Sequence, residues 1–354
     1  MTGRITGADV AREVGVSAAT VSLAFSTRPK DRGRVASTTR EEIRRTAARL
    51  GYTPNHIASS LRRQHTGLLM MIVQTLANPY YTGVTEGAQQ AAAARGYSLS
   101  VLEVGRSSIS QPALTLLRGG AADGIILASH SDALQQEMLN LIRQGVAAVA
   151  IQGRELSRYV PTVAACGEEG SYRATRYLIG LGHRRIAHIS ADPSVWPNPG
   201  AGTLDLERRL HGYQRALAEA GIGCQPELIS PGPDTMAGGA ESTRRLLERP
   251  GPRPTAILAF NDVMAIGALR ELSNQGVRVP EEMSVVGFDG IELGEYVIPR
   301  LTTLVDPFVE KGRRAAEILC DLVDGVRARR GEEEILPAEL VRLVVRDSSG
   351  PPPA

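Results

Sequence analysis

The pattern of apolar and polar positions changes once along the chain. Residues 6–61 carry apolar side chains at helical spacing without an alternating strand pattern, which predicts several short helices. From about residue 67, short apolar runs such as LLMMIVQ at 68–74 and ADGIILAS at 122–129 alternate with longer amphipathic stretches. This alternation is typical of strand-helix-strand units that build a parallel sheet.

The same rhythm occurs twice after residue 67. A first series ends with VAAVAI at 146–151, and a second begins with PTVAAC at 161–166 and continues through MSVVGFDG at 283–290. We therefore predict an α/β core of two doubly wound parallel sheets behind an all-α N-terminal domain. Because ligands bind beyond the carboxyl ends of parallel strands, two facing lobes would form one cleft.

The first helices fit a helix-turn-helix. In ITGADVAREVGVSAATVSLAFS the apolar residues of one helix share a face, Gly15 marks a turn, and Val21 and Phe25 share a face of the next helix. Ser17 lies where this second helix begins and can cap it. The opposite side of the second helix would meet DNA, and it presents Ala18, Ala19, Ser22 and Leu23.

A third helix follows in TTREEIRRTAARLG. Thr38 or Thr39 would cap it, Gly51 would end it, and Ile43 and Ala47 would face inward. Charge is concentrated in the same region, because residues 1–66 hold 12 Arg or Lys against 5 Asp or Glu, a net charge of +7. This basic end is either a phosphate-contacting surface or an ordinary solvated one.

Cysteine usage and hydropathy exclude other classes. The three cysteines are scattered without zinc-ligand spacing, so we expect reduced, buried thiols, no metal and no cofactor. No apolar run approaches the roughly 18 residues that span a bilayer, and the first residues do not resemble a signal peptide. We therefore expect a cytoplasmic protein without a membrane partner.

The segments DVAREVGVSAATVS and TTREEIRRTAARLGYTPNHIASSLRR resemble, in order and spacing, the headpiece and hinge of the LacI/GalR (lactose-repressor) family. The resemblance runs nearly the whole length of the chain. It implies a transcriptional regulator, expected to be a repressor, with a two-lobed periplasmic-binding-protein-like core. A small-molecule effector, expected to be a sugar or sugar derivative, would bind between the lobes. The resemblance also implies a homodimer on a palindromic operator in double-stranded DNA.

For DNA, the resemblance implies a hinge helix over 55–61 that orders on the operator. Ala58 would lie near the minor groove, and Leu61 would wedge between base steps unless it is a plain linker residue. The implied DNA-binding residues are Thr6, Ser17, Ala18, Ala19, Ser22, Leu23, Asn55, His56, Ala58 and Leu61. The chain departs from the family at Leu23, where many members carry Arg, and in its longer loop STRPKDRGR, which contacts the DNA backbone or is merely solvated.

For the effector, the resemblance implies Tyr80, Tyr81, Gln152, Arg209, Asn261 and Asp289. A tyrosine can stack on a sugar ring or simply pack in the core, and Asn261 and Asp289 can bind hydroxyls or cap helices. Gln152 departs from the family, where Asp is frequent. Trp196, the only tryptophan, either closes over the ligand or anchors its own long loop.

These patterns predict the domain boundaries. The headpiece would cover 1–54, and the hinge and linker 55–66. The first lobe would take 67–165 and 306–329, the second 166–305 and 330–347, and 348–354 would be a disordered tail.

Three rival functions stay open. A transport protein that binds sugars outside the cytoplasm would share the core but would need a signal peptide and no headpiece. An enzyme would need a catalytic motif, and we find no G-x-S-x-G, G-x-x-x-x-G-K-[ST] or H-E-x-x-H, so we expect none. A regulator without effector response would not need Arg209, Asn261 and Asp289.

Overall fold

The chain forms two compact units, Met1–Thr66 and Gly67–Ala354. The computed structural model describes residues 5–25, 33–53, 65–105, 110–129, 132–151, 156–191, 204–328 and 330–353. The first unit is helical, and the second contains two six-stranded sheets flanked by helices. The predicted fold class, an all-α headpiece followed by a two-lobed α/β core, is confirmed.

The headpiece consists of three helices around a small apolar core. They are α1 (Gly7–Val14), α2 (Ala18–Ala24) and α3 (Ser37–Leu50). Ile43 of α3 is fully buried in this core, and the ring of Phe25 meets Tyr52 edge to face, with centroids 6.0 Å apart. An ion pair between Arg49 and Glu13, 2.6 Å apart, joins α3 to α1 at the surface.

The helix termini explain the lengths of these elements. Ser17 caps α2 as expected, its Oγ accepting a hydrogen bond from the Thr20 N–H at 3.1 Å. Gly51 ends α3 with φ 70°, a conformation that glycine adopts readily. The predicted cap of α3 at Thr38 or Thr39 is wrong. The first helical hydrogen bond runs from the Arg40 N–H to the Ala36 carbonyl at 2.9 Å, so the helix begins earlier, without a side-chain cap.

The first lobe of the core is built on a sheet whose strands all run parallel, in the order β11-β5-β4-β3-β1-β2. The strands are β1 (Leu68–Val73), β2 (Ser98–Glu103), β3 (Gly124–Ala128), β4 (Ala147–Ile151), β5 (Pro161–Ala164) and β11 (Glu332–Ile335). The helices are α4 (Pro79–Ala94), α5 (Gln111–Arg118), α6 (Asp132–Arg143) and α11 (Phe308–Val323). Strands β3 and β4 are buried at every residue because helices cover both faces of the sheet.

The second lobe repeats this plan, with the strand order β12-β10-β9-β8-β6-β7. The strands are β6 (Ile186–Ala191), β7 (Ile229–Gly232), β8 (Ala256–Ala259), β9 (Ser284–Asp289), β10 (Thr302–Val305) and β12 (Arg342–Val344), of which β12 runs antiparallel to β10. The helices are α7 (Gly167–Gly180), α8 (Leu204–Glu219), α9 (Met236–Glu248) and α10 (Asp262–Asn274).

Paired helices approach closely where glycine removes the side chain. A Cβ on Gly312 of α11 would overlap the carbonyl of Val84 on α4, and a Cβ on Gly212 of α8 would overlap that of Glu168 on α7. Both lobes therefore carry a helix pair that tolerates no side chain at its crossing.

Two predicted boundaries and one burial prediction are corrected. Segment 330–347 does not belong wholly to the second lobe, because Glu332–Ile335 pairs in parallel with β5 of the first sheet. The tail from 348 is ordered as far as it is described, because Ser348 is fully buried and exchanges two hydrogen bonds with the backbone of Val285, at 2.6 and 2.7 Å. Of the three cysteines predicted to be buried, Cys224 is exposed, Cys166 is half-buried and Cys320 is buried. None of the helices in the described ranges has the length and apolar character needed to cross a membrane.

Candidate functional site

The exposed side of α2 carries the predicted DNA-reading residues. Ala18, Ala19 and Ser22 are exposed and Leu23 is half-buried. Because these side chains are small or apolar, the helix offers close approach to a groove rather than many base-specific hydrogen bonds. Asn55, His56, Ala58 and Leu61 lie outside the described residues, as does the loop over 26–32.

Thr6 and Ser17 are exposed but already serve as helix caps. Thr6 forms a capping box with Asp9, in which the Thr6 N–H donates to the carboxylate at 2.9 Å. The hydroxyl of Ser17 also shares a hydrogen bond with that of Thr20 at 2.8 Å. Both side chains hold the amino ends of α1 and α2 in place, whatever they contact beyond the protein.

Arg209 lies at the centre of the candidate effector site. It projects from α8 to the carboxyl ends of β8 and β9, and its guanidinium lies 2.7 Å from Asp205 and 3.4 Å from Asp289. It also donates to the carbonyl of Phe260 and covers the ring of Phe288, with Cζ 3.7 Å from the ring centroid. Only 3% of the residue is exposed, so these contacts replace water around a buried charge.

Asp289 sits on a strained turn at the end of β9. Its φ of 119° is unusual for a residue other than glycine, and such a conformation costs of order 1–3 kcal/mol. Asp262 holds the turn, since its carboxylate accepts the N–H groups of Gly290 and Ile291, each at 2.8 Å, and the hydroxyl of Thr303 at 2.5 Å. Burial raises the pKa of Asp262 to about 7 and raises the pKa of Asp289.

The other described effector candidates also have structural duties. Asn261 is buried, and its side-chain oxygen caps α10 by accepting the Met264 N–H at 2.9 Å. Tyr80 and Tyr81 are each 6% exposed and pack edge to face, with ring centroids 5.2 Å apart. Asn261 therefore acts as a helix cap, and the two tyrosines pack in the core, as the alternatives to ligand binding predicted. Gln152 and Trp196 lie outside the described residues.

Sequence reasoning missed three charged residues that meet this site, namely Asp205, Asp306 and Lys311. Lys311 is fully buried on α11, with Nζ 2.7 Å from Asp306 and 3.3 Å from the hydroxyl of Tyr80. Asp306 follows β10, and its second contact is the guanidinium of Arg209 at 3.9 Å. The carboxyl ends of both sheets thus meet in one buried cluster of three carboxylates and two cations, to which both lobes contribute.

Two of these residues had a signal in the sequence. Asp205 precedes Arg209 by four positions, the spacing at which side chains meet on a helix. Lys311 stands on the same helical face as the buried Ala315 and Ile318, where a charged residue needs a partner. Asp306 had no local signal, because its contact with Arg209 depends on the fold.

Two atoms of the cluster lack hydrogen-bond partners. Within the described ranges, the Arg209 Nε–H donor and the Asp306 Oδ1 acceptor are buried without a partner. An unpaired buried polar atom costs roughly 1–3 kcal/mol, so each calls for an explanation such as a ligand. The arrangement can accept a polar molecule that offers both a hydrogen-bond donor and an acceptor.

Comparison with known proteins gives the family. Residues 7–55 match the family "Bacterial regulatory proteins, lacI family", and residues 175–349 match a periplasmic binding protein-like domain. The transcriptional repressor CytR of Escherichia coli K12 is 32% identical over 337 residues, 94% of each chain. The repressor PurR of Vibrio cholerae serotype O1 (strain M66-2) is 33% identical over 345 residues, 96% of this chain and 97% of its own. The chain therefore belongs to the lacI family of bacterial regulators, as its sequence indicates.

Solved structures agree over nearly the full length. A lac repressor dimer bound to operator and the anti-inducer ONPF superposes with a TM-score of 0.81, at 27% identity, covering 98% of this chain and 100% of that one. A complex of the regulator CelR with cellobiose gives a TM-score of 0.69, at 31% identity and the same coverage. The lac repressor structure holds both operator and a small molecule, and the CelR structure holds a sugar.

Proposed function

We propose that this chain is a sequence-specific transcriptional repressor whose operator affinity is controlled by a small polar effector bound between the two core lobes. The observation that carries the proposal is the buried charged cluster, which joins the carboxyl ends of both sheets and leaves a donor and an acceptor unpaired. Relatives named as repressors support a regulatory rather than an enzymatic role.

On the DNA side, we propose that α2 enters the major groove and presents Ala18, Ala19, Ser22 and Leu23 to the DNA. Ser17 and Thr6, which cap α2 and α1, would contact the DNA beside them. Asn55, His56, Ala58 and Leu61 would form the hinge in the minor groove. A homodimer would present two headpieces to a palindromic site in the cytoplasm, as a lac repressor dimer binds its operator.

On the effector side, we propose that Arg209 and Asp289 bind the ligand, with Asn261, Tyr80, Tyr81 and Gln152 around it. A sugar or sugar derivative is supported by the neighbouring CelR complex with cellobiose and by a ribose-bound regulator from Enterococcus faecium. Arginine suits such ligands because its planar fork can donate to two hydroxyls at once.

The two sites would communicate through the lobes. Lys311 belongs to a first-lobe helix and Arg209 to a second-lobe helix, so a ligand between them changes how the lobes close. Closure would in turn favour or disfavour the ordered hinge. Such a link between two sites is commonly worth about 1–3 kcal/mol.

Selection of random duplexes by the full-length protein tests the proposal. We expect enrichment of a palindrome by the unmodified chain and loss of enrichment in Ala19→Glu, whose new carboxylate faces the phosphates. Ala48→Glu adds the same charge to an exposed alanine of α3 and should retain enrichment. Failure to enrich any duplex at low salt, with and without a sugar panel, would contradict the proposal.

A further inference from the structure

Asp306 occupies the point where the two lobes meet. Its Oδ2 is held by Lys311 of the first lobe at 2.7 Å and lies 3.9 Å from Arg209 of the second lobe. Its backbone N–H donates to the carbonyl of Asp289 at 2.9 Å. The residue is therefore held at its backbone and at Oδ2, while Oδ1 has no hydrogen-bond partner among the described residues.

The second unpartnered atom lies on the neighbouring group. Arg209 Nε is a donor without an acceptor, and Asp306 Oδ1 is an acceptor without a donor. The two side chains approach to 3.9 Å, and a single hydroxyl that reaches both atoms would satisfy both, since it accepts an N–H and donates its own proton. An ionised carboxylate or phosphate has only acceptors for this purpose, and an ammonium group has only donors, so either leaves one protein atom unsatisfied.

The charge of the cluster points the same way. Asp205, Asp289 and Asp306 outnumber Arg209 and Lys311 within the cluster, so both cations already have carboxylate partners there. In a buried site, an anionic ligand would add a charge that neither cation is left to balance, with little screening by water. An uncharged ligand adds no such charge.

We propose that Asp306 is a specificity-determining residue of the effector site, and that with Arg209 it selects an uncharged hydroxyl over an anionic or ammonium group. Lys311 is the positioning residue that holds Asp306 in place. The proposal rests on the proposed function only in taking this cluster as the effector site, and it does not require that DNA be bound.

Isothermal titration of the full-length protein with matched ligands tests this selection. The panel contains D-glucose, D-gluconate and D-glucosamine, D-ribose and D-ribose 5-phosphate, uridine and uridine 5′-monophosphate, and cellobiose. We expect an uncharged member to bind, and its charged counterparts to bind at least about tenfold more weakly, as expected when buried charge is left unpaired. Tighter binding by a charged counterpart, or binding by no member, overturns the proposal.

Variants assign the selection to Asp306. Asp306→Asn should weaken the uncharged ligand by about tenfold, because hydrogen bonds to a charged acceptor are roughly twice as strong. It should also reduce the discrimination against the anionic counterpart, a ratio that does not depend on the fraction of folded protein. Asp321→Asn, which alters a surface carboxylate paired with Arg95, is the matched control and should change neither value.

Lys311→Met should shift the same ratio in the opposite direction, because it removes a positive charge and leaves the carboxylate of Asp306 in the cluster. Arg313→Met, on the exposed side of the same helix, should not shift it. An unchanged ratio in Asp306→Asn overturns the proposal. If the protein binds sugars with this selectivity but selects no operator, the inference stands and the repressor function is rejected. If the protein selects an operator but binds an anionic ligand more tightly, the repressor function stands and the inference is rejected.

Discussion

Removing the ammonium group of Lys311 is expected to be costly for the fold. The side chains of Lys311 and Asp306 are 0% and 2% exposed, and Nζ and Oδ2 lie 2.7 Å apart. Breaking a buried ion pair by deleting one partner typically costs about 3–5 kcal/mol, because the remaining charge stays buried without compensation. Arg209, at 3.9 Å, still partly compensates Asp306. We therefore expect Lys311→Met to lower the free energy of unfolding by about 3 kcal/mol, the lower end of that range.

A double variant separates the charge effect from packing. Methionine preserves most of the aliphatic stem of Lys311, so Lys311→Met combined with Asp306→Asn removes both charges with little loss of volume. We expect the double variant to be about 2 kcal/mol more stable than Lys311→Met alone. The interaction energy of the full cycle, which also includes Asp306→Asn alone, should therefore be at least about 2 kcal/mol.

Urea unfolding of the full-length chain, followed by far-ultraviolet circular dichroism at fixed protein concentration, measures these differences. Arg313→Met breaks pairs with Glu310 and Glu317 that are partly exposed to solvent, and should cost less than about 1 kcal/mol. A buried ion pair is contradicted if Lys311→Met is no more costly than Arg313→Met, or if the double variant loses the sum of what the two single variants lose.

Three further predictions concern stability elsewhere. Burial lowers the pKa of His188 from 6.5 to about 4, so the unfolded chain binds the proton at a higher pH than the folded chain does. As the pH falls from 6.5 to 4, the free energy of unfolding should therefore drop by about 3 kcal/mol relative to His188→Gln, as measured by urea titration at each pH. No pH-dependent difference between the two proteins would reject this. Gly312→Ala should cost about 1–3 kcal/mol by overlap with the carbonyl of Val84, whereas Gly180→Ala, which meets open space, should be neutral or stabilising, as thermal melting will show. Equal effects of the two substitutions would contradict the packing argument. Ala36→Ser supplies the side-chain cap that α3 lacks and should stabilise the headpiece by about 1 kcal/mol in hydrogen exchange. Unchanged protection of the α3 amides would contradict this.

Local periodicity was sufficient to predict the fold class. The helix-turn-helix, and the alternation of buried strands with amphipathic helices, depend on residues that are close together in the sequence. For this reason α2, β3 and β4 lie at the sequence positions predicted for them. The lobe boundary near residue 330 was predicted wrongly because strand β11 is short and exposed, and its partner β5 lies far away along the chain. The ordered tail was missed because Ser348 and the residues after it lack an apolar pattern.

The candidate site likewise contains residues that the sequence predicted and residues that it did not. Arg209 and Asp289 were predicted because they stand in recognisable motifs, and the structure places their side chains 3.4 Å apart. Asp306 was not predicted, because its contact with Arg209 joins residues about a hundred positions apart. Lys311 was not predicted either, although it pairs with Asp306. The sequence did contain one indication of Lys311, because it is one of only two lysines, Lys30 and Lys311, and it stands on the apolar face of a helix.

The most direct test of effector control is the affinity of the full-length protein for its selected operator, with and without a saturating concentration of the sugar found by titration. A coupled regulator should change this affinity by about 5–150-fold. The Arg209→Met protein should still bind the operator when no sugar is present, and adding the sugar should not change this affinity. If the sugar binds the core and leaves operator affinity unchanged, the control of DNA binding by this site is contradicted.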